Sequence, residues 1–162
     1  MKKRLIAVVL SSLAVLAVTV AMPRGQAAAL GTDNVITASG AGVFPAGANV
    51  NGIQLAGGTF GVGAQSTSTG SASGDLEVQY NGTSLIGLSQ WVTVTGWITS
   101  ATVNPDGTVT FNGSATLDMG DGTAPTGGLT LVATLGPAGL AVSVGNLTFP
   151  TLPKSDGWSS VE

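Results

Sequence analysis

From Asn34 onward the apolar residues recur at every second position, and no stretch of a dozen residues carries them at the three-to-four spacing of an amphipathic helix. Asp75 to Tyr80 is the plainest case. Leu76, Val78 and Tyr80 point one way while Asp75, Glu77 and Gln79 point the other, giving a strand with one dry and one wet face. The same reading predicts strands over 34–41, 53–65, 90–103, 108–119, 128–135, 140–144 and a terminal piece over 157–162. Short strands joined by short loops predict an all-β fold, a single antiparallel barrel or sandwich of about eight strands.

Turn chemistry divides these strands. Gly136-Pro137-Ala138-Gly139 joins two alternating runs into a hairpin, and Gly57-Gly58 inside the second strand marks a bulge or sharp bend. The strongest hairpin signal is Asn104-Pro105-Asp106-Gly107, with Pro at the second position of a type I turn and Gly in the left-handed position that follows. Its register is open. A three-residue loop with Gly107 as a bulge pairs Val103 with Val109, Ala101 with Phe111, Trp97 with Ala115 and Thr95 with Leu117, and sends Trp91 and Trp97 into the core. A four-residue loop instead buries Val92, Val94 and Ile98 and leaves Trp97 outside beside Thr93, Thr95, Thr99, Ser114 and Thr116. The burial gain of a bulky indole favours the first arrangement.

Ahead of the strands, Lys2-Lys3-Arg4, an apolar run from Leu5 to Ala21 and the small residues Ala27-Ala28-Ala29 read as a secretory signal peptide over residues 1–29, cleaved before Leu30. A transmembrane anchor is the alternative, which Pro23, Arg24 and Gly25 before the small-residue site disfavour. The remaining 30–162 is expected to be one domain, large enough to build a core without disulfides. It keeps all 8 acidic residues and, of the 5 basic ones, only Lys154; His and Cys are absent from the chain. An acidic body with one Lys is unsuited to nucleic acid or to anionic membrane surfaces, and no stable membrane insertion is expected after cleavage.

The same inventory closes most catalytic templates, since His bases, thiol nucleophiles and Arg clamps are missing. Asp118-Met119-Gly120-Asp121-Gly122-Thr123 resembles a cation-binding loop only superficially, because it lacks the regular acidic spacing and distal Glu of a calcium site; a Gly-rich hairpin loop is the better reading. Asp75 and Glu77 read as solvated side chains on one strand face, and Lys154 with Ser155 or Ser159 as part of a polar tail. Catalytic, cofactor and metal sites are therefore all expected to be absent.

The runs Ile36-Thr37-Ala38-Ser39-Gly40-Ala41-Gly42-Val43-Phe44, Gly58-Thr59-Phe60-Gly61-Val62 and Gly74-Asp75-Leu76-Glu77-Val78-Gln79-Tyr80 recur in order with Ile98 to Val103, Phe111 to Leu117 and Asp156-Gly157-Trp158-Ser159. In this order the chain resembles a group of small exported bacterial all-β domains, the post-COAP type. The resemblance implies a barrel-like domain in a secreted, extracellular protein, with no assigned activity and no functional residues to carry over. The chain departs from it in lacking the acidic and basic residues that the resemblance leads one to expect between its later strands and in its Pro-rich segment from Pro150 to Pro153. The expected function is an exported structural or binding module without catalytic activity, gripping a protein or glycan through an exposed strand face, where Trp97 or Tyr80 offers an aromatic platform and Thr93 and Thr95 offer hydroxyls. The alternative is a β-barrel carrier of a small apolar ligand, which needs an unfilled interior.

Overall fold

The computed structural model describes residues 33–162, so the expected leader over residues 1–29 and its cleavage site lie outside the described residues. Strands carry the chain: β1 (Asn34–Val43), β2 (Asn49–Val50), β3 (Ile53–Ser66), β4 (Ser71–Thr83), β5 (Ser89–Val103), β6 (Val109–Asp118), β7 (Thr126–Gly136), β8 (Gly139–Val144), β9 (Leu147–Thr148), β10 (Leu152–Pro153) and β11 (Asp156–Val161). Among the described residues none is helical. All pairings are antiparallel within one sheet of order β10-β8-β7-β6-β5-β4-β3-β1-β11, with β2 on β3 and β9 on β8. The eight long predicted strands are present; β2, β9 and β10 are two-residue additions that periodicity cannot reveal.

The sheet is curled and barrel-like, and its two edges are brought together by one stretch of chain. Phe149 N donates to Val142 O, Leu152 pairs with Leu140 and Pro153 with Gly139, so the chain after β8 runs back along it. It then crosses to the other edge, where Ser155 N and Ser155 Oγ both donate to Ala41 O at 3.1 Å, and β11 continues along β1 from Asp156 opposite Ala41 to Val161 opposite Ile36. Pro150 and Pro153 suit this crossing, since a proline has no amide hydrogen to contribute to a continuous ladder.

The inner face is apolar and full. Ile36, Leu76, Val78, Tyr80, Val92, Val94, Phe111, Leu131, Leu140 and Val142 are buried, and Phe149 folds in to stack on Tyr80 with ring centroids 4.6 Å apart. At about 1.5–3 kcal/mol for each large apolar side chain removed from water, this face supplies the driving force for curling. Leu131 shows how full the interior is: its Cδ2 stands 2.5 Å from where a Cβ on Gly96 would lie.

The β5–β6 hairpin satisfies parts of both registers. At the turn the three-residue loop holds: Gly107 N donates to Asn104 O at 3.0 Å, Gly107 takes φ 80, and Val103 pairs with Val109 and Ala101 with Phe111. Between Ile98 and Ser100 the register shifts, so that Thr99 is extra and Ile98 faces Gly113, Trp97 faces Ser114 and Val94 faces Leu117. That bulge exchanges the two faces of β5. Val92, Val94 and Ile98 enter the core, whereas Trp91 and Trp97, expected inside, stand outside with 54% and 67% of their surface exposed. The indole argument failed because a face is buried as a set. Burying Trp91 and Trp97 also buries Thr93, Thr95 and Thr99, and each hydroxyl left without a partner costs about 1–3 kcal/mol.

The bulge needs a partner without a side chain. A Cβ on Gly113 would fall 1.8 Å from Trp97 O, so the carbonyl of the displaced strand occupies that space. Gly113→Ala is therefore expected to destabilise the fold by about 2 kcal/mol or more in urea denaturation. Gly61, whose missing Cβ would meet nothing within 4 Å, is the control. Gly61→Ala should fall within about 0.5 kcal/mol of the parent or above it; equal losses at the two positions would contradict the bulge.

Candidate functional site

Alternation places one set of side chains on the outside of the curled sheet, and register aligns them in rows. Trp158, Ser39, Gly61, Glu77, Thr95 and Thr116 form one row across six strands, and Ser160, Thr37, Gly63, Asp75, Trp97 and Ser114 form the next. Thr59, Gln79, Thr93 and Asp118 lie in a third, and Val43, Gly57, Asn81 and Trp91 in a fourth. All three tryptophans of the chain are exposed in these rows, Trp158 by 56%. Trp91 and Trp97, six positions apart on one strand, are separated by about 20 Å.

Of the residues expected to form a recognition face, three are brought together. Trp97 and Thr95 are exposed, Thr93 beyond Thr95 is half-buried, and all three share the outer face of β5. Tyr80 does not belong with them. It is 0% exposed, between Phe44 at 6.0 Å and Phe149 at 4.6 Å between ring centroids, so it is a core residue and no platform. The alternation of Asp75 to Tyr80 already placed it opposite Gln79, on the inner face. Among the described residues its hydroxyl finds no hydrogen-bond partner, and burial pushes the phenol above its ordinary range, so it stays neutral.

The carboxylates are dispersed. Asp75 and Glu77 are exposed on the outer face of β4, with Trp97 opposite Asp75 and Thr95 opposite Glu77. Asp118 caps its own loop, accepting from Gly120 N at 2.8 Å, and Asp121 accepts from Thr123 N at 2.9 Å and Thr123 Oγ1 at 2.6 Å. The segment is thus the hairpin loop between β6 and β7, with its two acidic side chains folded onto its own backbone. Asp106 does the same in its turn, accepting from Thr108 N at 2.9 Å and Thr108 Oγ1 at 2.7 Å. Lys154 Nζ donates to Ser159 Oγ at 3.4 Å in solvent.

One concavity of the outer face, about 510 Å³, lies between Val43 and Trp91 over Gly57 and Gly58, with Thr59, Gln79 and Asn81 along it. This groove was not legible as a site, although the glycine pair marking the bulge was. The bulge is present, between Leu55 and Gly57. Comparison with known proteins returned no matching family model, no matching curated protein and no matching solved structure.

The orphan hydroxyl and the capping carboxylates each generate an expectation. Tyr80→Phe removes a buried polar atom without changing the packed ring, and should leave the melting temperature unchanged or raise it; a clear fall would mean that the hydroxyl has a partner. The Thr108 amide and hydroxyl hold the Asp106 carboxyl below its ordinary range, and the Thr123 hydroxyl and amide do so for Asp121. A depressed folded value stabilises at pH above the unfolded carboxylate value, near 3.9, and that contribution is lost as pH falls through the folded value. Asp106→Asn with Asp121→Asn should therefore flatten the acid limb of a melting-temperature profile below about pH 4, while an unchanged limb would show that neither cap contributes.

Proposed function

We propose that the chain is an exported extracellular binding module without catalytic activity, which grips a protein or glycan partner through the outer face of β4 and β5. In this reading the leader over residues 1–29 is removed and the product is secreted. The curled sheet is then a barrel of eight long strands, closed where the chain crosses from β8 to β1. The observation that carries the reading is Trp97, 67% exposed on β5 beside the Thr99 bulge while the interior beneath it is filled. A large indole held in water on a sheet is the kind of anchor that recognition surfaces use, and Thr95 beside it and Thr93 beyond add hydroxyls along the same face of β5. Asp75 and Glu77 add polar contacts and keep the face acidic.

A carrier of an apolar ligand needs internal space, and Leu131 against Gly96 and Phe149 stacked on Tyr80 argue for an interior already occupied by side chains. Catalysis is disfavoured by the chemistry of the groups present. The Asp75, Glu77, Asp118 and Asp156 carboxylates are spread over three strands, and Tyr80 is a neutral buried phenol.

The test uses protein purified from its own culture medium, whose N-terminus is expected at Leu30 by mass spectrometry. It is sedimented with cell-envelope fragments of the source organism. The parent should be retained, and Trp97→Ala, folded by circular dichroism, should lose at least about fivefold in retention. Retention that is absent, or untouched by Trp97→Ala, would overturn the proposal.

A further inference from the structure

The groove beside Trp91 differs from the rest of the outer face in its chemistry. Register sets Val43, Gly57, Asn81 and Trp91 side by side on β1, β3, β4 and β5. Three strand spacings separate Val43 from Trp91, about 14 Å, and between them the buried Gly57 is covered by Gly42 O and Asn81 Oδ1, 2.6 and 3.3 Å from where a Cβ would lie. Val43 and Trp91 thus form two exposed apolar walls, and the open groove between them, about 510 Å³, is of the size that small-molecule sites occupy.

The floor is polar but uncharged. Gln79 and Asn81 contribute carboxamides, each both donor and acceptor, and Thr59 contributes a hydroxyl. Among the described residues neither carboxamide is paired with another side chain, so both remain available. Trp91 itself is held firmly. Its backbone carbonyl lies 1.9 Å from where a Cβ on Gly120 would sit, and the neighbouring Gln90 Nε2 donates to Met119 O at 2.7 Å, so the β6–β7 loop packs directly over this end of β5.

We propose that this groove is a binding site for a neutral pyranose sugar, a deepening that rests on the binding-module reading above. A pyranose presents a C–H face that an indole covers and ring hydroxyls that both donate and accept, which is the pairing that carboxamides and a hydroxyl satisfy. An anionic sugar has no cation to meet here, because Lys154 is the sole basic residue of the described chain and Asp75 and Glu77 lie farther along β4. A cationic ligand finds no carboxylate in the groove lining. The neutral lining is what selects the ligand class.

The full secreted protein is titrated with neutral disaccharides of glucose, mannose, galactose and N-acetylglucosamine, with digalacturonate, and with a hexalysine peptide. Tryptophan fluorescence and the side-chain amide signals of Gln79 and Asn81 are followed. At least one neutral sugar should bind saturably and shift both amide signals. Trp91→Ala should weaken it at least about tenfold, with Trp91→Phe retaining part of the affinity, and Asn81→Ala should weaken it as well. Trp158→Ala should leave this affinity within about twofold, since Trp158 is an exposed indole on β11, four strand spacings from Trp91. No binding by any neutral sugar, binding insensitive to both Trp91→Phe and Asn81→Ala, or preference for digalacturonate or hexalysine would overturn the inference. Envelope retention that depends on Trp97 without sugar binding in the groove would leave the broader reading standing and remove only this one.

Discussion

One extra residue in β5 decides which face of the sheet meets water. The turn at Asn104 to Gly107 imposes a register that pairs Val103 with Val109 and Ala101 with Phe111. Continued unbroken, that register would bury Trp91, Thr93, Thr95, Trp97 and Thr99 together. The opposite face offers Val92, Val94 and Ile98, with no hydroxyl to strand. The apolar gains of the two faces are comparable, so the unpaired threonine hydroxyls decide the outcome, at about 1–3 kcal/mol each. Thr99 resolves the conflict by stepping out of the ladder, and the bare backbone of Gly113 gives the displaced carbonyl room.

The shape and surface of the molecule follow from that step. With aliphatic side chains from β5 facing those of β4, β6 and β7, the inner face packs tightly enough to need Phe149 and Leu152 from the returning chain to complete it. That chain then spans both sheet edges through Ser155 and Ala41. The outer face receives the tryptophans, the threonines and the exposed carboxylates of β4. The exposed aromatic face and the filled core are therefore two results of a single parity change.

Strand identities were legible because alternation is a direct record of facing, and Asp75 to Tyr80 declared its own orientation. The hairpin at Gly136 to Gly139 and the bulge near Gly57 were legible from turn and glycine chemistry. Thr99 was not, because a bulge arises from competition between two locally acceptable registers and leaves no residue signature of its own. β2 was missed for a different reason: it has two residues, and its clue was Asn51-Gly52, whose φ values of 47 and 83 match the tight hairpin turn that this dipeptide favours. Tyr80 was misplaced on the surface when its chemistry was weighed apart from its strand position. The groove beside Trp91 depends on four strands in register, and no linear pattern displays that.

The central claim is the exchange of faces at Thr99, and cross-strand nuclear Overhauser contacts between β5 and β6 test it most directly. The account predicts contacts of Val103 with Val109 and Ala101 with Phe111 near the turn, then Trp97 with Ser114 and Val94 with Leu117 beyond Thr99. An unbroken ladder placing Trp97 opposite Ala115 and Thr95 opposite Leu117 would contradict it.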